Sequence, residues 1–123
     1  MKTILVAEDR DASRELLNVV LTAAGYDVIL AADGEEAVER AEEHPVDLVI
    51  LDIHMPRLDG FGVIRRLRAH PSYIHIPVIA LTASAMAGDR DNVLAAGFSE
   101  YISKPVNLSL LRREIARLLE NHP

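Results

Sequence analysis

Four short apolar runs along the chain each stop at a polar residue. They read Ile4-Leu5-Val6-Ala7 before Glu8-Asp9, Leu48-Val49-Ile50-Leu51 before Asp52, Val78-Ile79-Ala80-Leu81 before Thr82, and Tyr101-Ile102-Ser103 before Lys104-Pro105. Continuous apolar runs of this length, separated by helical stretches, indicate strands that are buried on both faces of a parallel sheet. With one further, shorter run, the pattern predicts strands over residues 3–7, 28–31, 47–51, 78–81 and 101–103.

Helical periodicity fills the intervals between these strands. The predicted helices cover residues 11–24, Asp33 to the His44-Pro45 stop, Phe61 to near His70-Pro71, residues 85–96, and the segment after Asn107. One face of the first helix carries five apolar residues and is expected to pack inward: Leu16, Leu17, Val20, Leu21 and Ala24. Glu36 stands three residues after Asp33, which is the spacing of a capping box. The run Arg65-Arg66-Leu67-Arg68 is typical of an exposed basic helix face.

Five alternating strand–helix units predict one doubly wound α/β domain over residues 1–123, with no second domain. The expected strand order is 2-1-3-4-5, so the winding reverses between the first and third strands. Half of the 123 residues are apolar, which is enough for a packed core. The net charge of −6, without a basic stripe, argues against a nucleic-acid partner. The chain has no cysteine, and no apolar run approaches membrane-spanning length, so a cytoplasmic protein without a membrane segment is expected.

The carboxyl ends of parallel strands lie along one edge of their sheet, and doubly wound sheets bind ligands there. Glu8, Asp9, Asp52, Thr82 and Lys104 are therefore expected to share one pocket. Any one of them could instead be a helix cap or a solvated surface residue, but their joint placement favours a site. Three crowded carboxylates repel one another, and a hard divalent cation such as Mg²⁺ removes the conflict.

A carboxylate beside Mg²⁺ can attack phosphorus and form an acyl phosphate. The transferred group then needs an ammonium and a hydroxyl around its peripheral oxygens, which Lys104 and Thr82 supply. With Met55-Pro56 and Asp59-Gly60 in the loop after Asp52, Thr82-Ala83 and Lys104-Pro105, the whole chain resembles a response-regulator receiver domain. It is similar to the small chemotaxis-type and cell-division-type regulators, whose fold is flavodoxin-like.

The resemblance implies that Asp52 accepts a phosphoryl group from a histidine kinase or a histidine phosphotransfer protein. It implies Mg²⁺ bound by Asp9, Asp52 and the backbone carbonyl of His54, with Glu8 acting through water. Lys104 would pair with the phosphoryl group, and the Lys104–Pro105 bond is expected to be cis.

The same resemblance implies a switch. Thr82 would move towards the phosphoryl oxygen and Tyr101 would turn inward behind it. The face made by the 85–96 helix, the Tyr101 strand and the final helix would then bind a downstream protein. His54 and Ser84 stand at positions that tune how fast the phosphoryl group hydrolyses. A monomer or weak dimer is expected.

Two other classes share parts of this pattern. A phosphohydrolase of the haloacid-dehalogenase type also uses an aspartyl nucleophile with Mg²⁺, but it needs an acid two residues later, where this chain has His54. A flavodoxin-type cofactor module needs a glycine- or hydroxyl-rich first loop, whereas Glu8-Asp9-Arg10-Asp11 repels phosphate. A receiver-shaped scaffold that accepts no phosphate is disfavoured because every required residue type is present. The sequence fits both a free-standing regulator and the receiver of a hybrid histidine kinase.

Overall fold

A computed structural model describes residues 1–83 and 89–120. Its strands are β1 (Thr3–Ala7), β2 (Asp27–Ala31), β3 (Leu48–Asp52), β4 (Val78–Thr82) and β5 (Glu100–Ser103). They form one sheet in the order β2-β1-β3-β4-β5, and every neighbouring pair is parallel. The predicted fold class and strand order are therefore confirmed.

Helices follow each strand: α1 (Asp11–Ala23), α2 (Gly34–Glu43), α3 (Gly60–Ala69), α4 (Asp89–Ala95) and α5 (Leu108–Glu120). A 3₁₀ turn at Pro71–Tyr73, which the sequence pattern did not indicate, follows α3. In the part of the chain that the structure describes, every helix is too short or too polar to span a bilayer. Residues 84–88 lie outside the described residues, and the prediction had joined 85–88 of them to the fourth helix.

Side-chain caps begin several of these helices. Asp33 accepts a hydrogen bond from the Glu36 N–H (2.8 Å), so the helix starts one residue after the predicted position. The Glu36 side chain returns to the N–H of Ala32 (2.8 Å), one residue before the position that a capping box would use. Asn107 accepts a hydrogen bond from the Leu110 N–H (3.0 Å) and so caps the start of α5.

The sheet separates two apolar clusters. The α2–α3–α4 side is built around buried residues such as Leu51, Val63 and Ile64, and the α1–α5 side around Leu21 and Ile115. All five residues of β3 and of β4 are buried. A sheet covered on both faces accounts for the unbroken apolar runs in the sequence.

The first helix buries less of its apolar stripe than predicted. Leu17 and Leu21 are buried, but Leu16 is 51% exposed and Ala24 is also exposed. Leu17 and Leu21 are one helical turn apart and face the sheet, whereas Leu16 is rotated away from that line. Leu16 instead lines a surface cavity at the carboxyl edge of the sheet.

One charged side chain joins three segments at the opposite, amino edge. The Arg68 guanidinium donates to the carbonyl oxygens of Tyr73 (3.0 Å), Ile76 (2.6 Å) and Gly97 (2.7 Å). The expectation of a wholly exposed basic face is therefore wrong at Arg68, which is half-buried, although Arg65 is exposed. Arg68 holds the end of α3 to the segment before β4 and to the turn between α4 and β5.

Candidate functional site

Three carboxylates meet where β1 and β3 end. Glu8 and Asp9 directly follow β1, and Asp52 is the last residue of β3, the neighbouring strand. One oxygen from each of the three lies within 4.8 Å of the other two. Glu8 is fully buried and Asp52 is 4% exposed, whereas Asp9 is exposed. The predicted convergence of these acids is present in the structure.

An ammonium group lies among them. Lys104, directly after β5, places Nζ 2.7 Å from Oδ2 of Asp52 and 3.0 Å from Oε2 of Glu8. Its side chain is 20% exposed, so both ion pairs are partly shielded from water. Lys104 is thus a cation paired with both buried acids.

Burial and ion pairing act on the protonation of this cluster. Burial raises the pKa of Glu8, as does its hydrogen bond with Asp52, and the Lys104 ammonium only partly opposes them. Burial would lower the pKa of Lys104, but its hydrogen bonds to Asp52 and Glu8 prevail and raise it. The site therefore holds Lys104 charged while making the ionisation of Glu8 costly.

Backbone contacts fix the orientation of the cluster. The His54 N–H donates to Oδ1 of Asp52 (2.9 Å), and the Lys104 N–H donates to the carbonyl oxygen of Thr82 (2.7 Å). Arg14 on α1 donates to the carbonyl oxygen of Glu8 (2.9 Å). The Lys104–Pro105 peptide bond is cis, as the resemblance implied.

A cavity of about 580 Å³ opens over the cluster. Its polar wall contains the three carboxylates, Lys104 and His54, and its apolar wall runs between α1 and the segment before α5. Arg10, which precedes α1, and Ser13 in its first turn also contribute to the lining. Neither residue was singled out from the sequence, although Arg10 directly follows the acidic pair.

Thr82 and Tyr101 lie on the other side of the site. Thr82 ends β4 and is 3% exposed, and Tyr101 on β5 is half-buried. Both line a second cavity of about 270 Å³, together with His54, Phe61 and Val93. His54 lines both cavities and therefore stands between the acids and the Thr82–Tyr101 pair. Ser84, the other residue expected to tune hydrolysis, lies outside the described residues.

Comparison with known proteins identifies the family. The sequence profile of the response regulator receiver domain matches residues 4–116. The chain belongs to the response regulator receiver domain family. It is 37% identical over 107 residues to the polar-differentiation response regulator DivK of Brucella anthropi, covering 87% of each chain.

Solved structures agree with this assignment. The receiver domain of sensor histidine kinase PA1611 from Pseudomonas aeruginosa, solved with a magnesium ion in its active site cleft, is 38% identical with a TM-score of 0.89, over 97% of this chain and 98% of that one. Chemotaxis protein CheY4 of Vibrio cholerae is 30% identical with a TM-score of 0.90, over 96% of this chain and 98% of that one. The protein is thus a receiver domain of two-component signalling, a family whose members interact with histidine kinases or phosphotransfer proteins.

Proposed function

We propose that Asp52 is the phosphoacceptor of this receiver domain. The observation that carries the proposal is the Lys104 ammonium, 2.7 Å from Oδ2 of Asp52, at the base of a cavity that holds two further acids. A carboxylate oxygen of Asp52 attacks the phosphorus of a phosphohistidine, and the phosphorus–nitrogen bond breaks. Its electron pair stays on the imidazole of the kinase or phosphotransfer protein, and the product is an acyl phosphate.

The three acids fit a bound Mg²⁺. Oxygen donors from Glu8, Asp9 and Asp52 within 4.8 Å of one another suit a hard cation, and the open cavity leaves room for coordinated water. We assign Asp9, Asp52 and the His54 backbone carbonyl as ligands, with Glu8 acting through water. When bound, the ion neutralises charge on the phosphoryl oxygens during transfer. The related PA1611 receiver, solved with magnesium in its cleft, supports this assignment.

Lys104 changes partner in this scheme. Its ammonium is shared between Glu8 and Asp52, and it would pair with a phosphoryl oxygen once Asp52 is modified. Thr82, at the end of the next strand, donates its hydroxyl to another phosphoryl oxygen. These two groups supply the donors that phosphoryl transfer requires.

The second cavity supports a switch. Movement of Thr82 towards the phosphoryl group would leave space behind it for Tyr101, which lines the same cavity. That motion changes the α4–β5–α5 face, which then binds a downstream protein. His54 and Ser84 set the rate at which the domain loses its phosphoryl group. The protein acts in the cytoplasm, where ATP-dependent kinases supply the phosphoryl group, as a monomer or weak dimer.

The test is phosphorylation by acetyl phosphate and Mg²⁺, followed by intact-protein mass. The wild type should gain one phosphoryl group and Asp52→Asn none. Asp27→Asn removes an exposed carboxylate on β2 with the same change in charge, and should be labelled like the wild type. Labelling of Asp52→Asn at the wild-type level would overturn the assignment.

A further inference from the structure

Arg10 is an exposed cation at the mouth of the acidic cavity. It directly follows Glu8-Asp9, precedes α1, and lines the cavity beside Asp52 and Lys104. Its backbone N–H lies 3.4 Å from Oε1 of Glu8, but its side chain makes no capping bond to the helix. The guanidinium is therefore not required to begin α1.

The other two cations near the acids are already engaged. Lys104 contacts Glu8 and Asp52, and Arg14 contacts Asp11 and the carbonyl oxygen of Glu8. The Arg10 guanidinium forms no ion pair with any residue that the structure describes. Arg10 is thus the uncommitted positive charge of this cavity.

Once Mg²⁺ is bound, the charges at the base of the cavity leave a role for a cation at its mouth. One divalent cation and the Lys104 ammonium offset the three carboxylates when all are ionised. An incoming dianionic phosphoryl donor then brings two negative charges that nothing at the base of the cavity offsets. A cation at the mouth would attract that anion, and it would also repel Mg²⁺ by the same Coulomb interaction.

We propose that Arg10 is the donor-capture residue of this receiver, which binds the phosphoryl donor electrostatically at the cavity mouth and weakens Mg²⁺ binding in exchange. The inference rests on the proposed phosphoacceptor function. It assigns Arg10 to the docking of an anionic donor, and Arg10 makes no bond to the reacting atoms after transfer. Removing the charge of Arg10 must therefore weaken the binding of the phosphoryl donor and tighten the binding of Mg²⁺.

The experiment compares Arg10→Gln with the wild type, with Arg10→Lys and with Arg112→Gln. Arg112 is exposed on α5 and is outside the cavity lining, so its replacement gives the same change in net charge. Half-saturating donor concentrations are measured with acetyl phosphate, a dianion, and with phosphoramidate, a monoanion, at low and high salt. Mg²⁺ affinity is measured by calorimetry on the same variants without donor.

For Arg10→Gln we expect the half-saturating acetyl phosphate concentration to rise about fivefold at low salt, with a smaller rise for phosphoramidate. Mg²⁺ should bind about threefold more tightly, and both differences should shrink at high salt. Arg10→Lys should restore the wild-type values, and Arg112→Gln should match the wild type. The thermal midpoint of Arg10→Gln should be unchanged, because its side chain caps nothing.

Two failures are distinguishable. If the wild type takes up no phosphoryl group, the phosphoacceptor function itself is wrong and the inference falls with it. If the wild type is labelled but Arg10→Gln and Arg112→Gln share the same half-saturating concentration, Arg10 does not capture the donor. Equal shifts of donor and Mg²⁺ affinity in the same direction would also overturn the proposal, since they would indicate a structural defect.

Discussion

Gly34 at the start of α2 lies against the backbone of Leu58 in the loop after β3. A Cβ at residue 34 would stand 1.8 Å from the Leu58 carbonyl oxygen, so no side chain fits without moving that loop. Gly34→Ala should lower the free energy of unfolding by about 2 kcal/mol, the cost of overpacking a rigid contact. Because the same loop follows Asp52, Mg²⁺ affinity should fall as well.

Urea unfolding and calorimetry on Gly34→Ala would check both effects. Glu39→Ala, at an exposed position of the same helix, is the matched control and should change stability by under about 0.5 kcal/mol. A Gly34→Ala variant as stable as the wild type would mean that the loop containing Leu58 moves aside at no cost in stability.

Lys104 pairs with both buried acids, so its loss should reduce stability most when Mg²⁺ has been removed by a chelator. Lys104→Met should lower the free energy of unfolding of the metal-free protein by about 2 kcal/mol, because Asp52 and Glu8 lose their buried partner. It should also tighten Mg²⁺ binding, since a competing cation is gone. The added stability from saturating Mg²⁺ should therefore exceed that of the wild type. Lys2→Met, at an exposed lysine, provides the control, and an unchanged Mg²⁺ affinity in Lys104→Met would contradict this account.

The raised pKa of Glu8 predicts a pH dependence of stability. Below its ordinary value of 4.5 the group is protonated in both the folded and unfolded protein and has no effect. As the pH rises from 4.5 through the higher folded-state value, the unfolded chain loses this proton first, so folding stability falls. In metal-free buffer the wild type should lose stability over this window relative to Glu8→Gln.

Urea unfolding across pH, with a chelator present, measures that difference. Glu39→Gln should follow the wild type because Glu39 is exposed. Mg²⁺ affinity should rise over the same window, as the metal competes with the Glu8 proton. Parallel stability curves for the wild type and Glu8→Gln would show that the burial of Glu8 costs nothing.

Arg68 donates to three carbonyl oxygens, two in the segment before β4 and one in the turn before β5, and burial lowers its pKa. Arg68→Met keeps much of the side-chain volume but leaves those carbonyls without a charged donor. It should lower the free energy of unfolding by about 3 kcal/mol. Arg65→Met, on the exposed side of the same helix, should have little effect. If Arg65→Met and Arg68→Met lost the same free energy of unfolding, the loss would come from the change in net charge and not from the three hydrogen bonds.

The fold and the convergence of the acids could be predicted because the carboxyl ends of parallel strands lie along the same edge of their sheet. Several strands begin or end one residue away from their predicted bounds. Asp52, for example, belongs to β3 because it continues the pairing opposite Leu81. The exposure of Leu16 could not be predicted, since periodicity identifies an apolar stripe but not the width that the sheet covers. The engagement of Arg68 could not be predicted either, because its acceptors are backbone atoms in other loops, which carry no sequence signal.

The Arg68 contact with Gly97 also limits how α4 can move. Gly97 lies two residues beyond the end of α4, and Arg90 in the first turn of α4 is ion-paired with Glu100 on β5 (3.3 Å), so the helix is held at both ends. A shift of α4 therefore has to break or lengthen one of these two contacts.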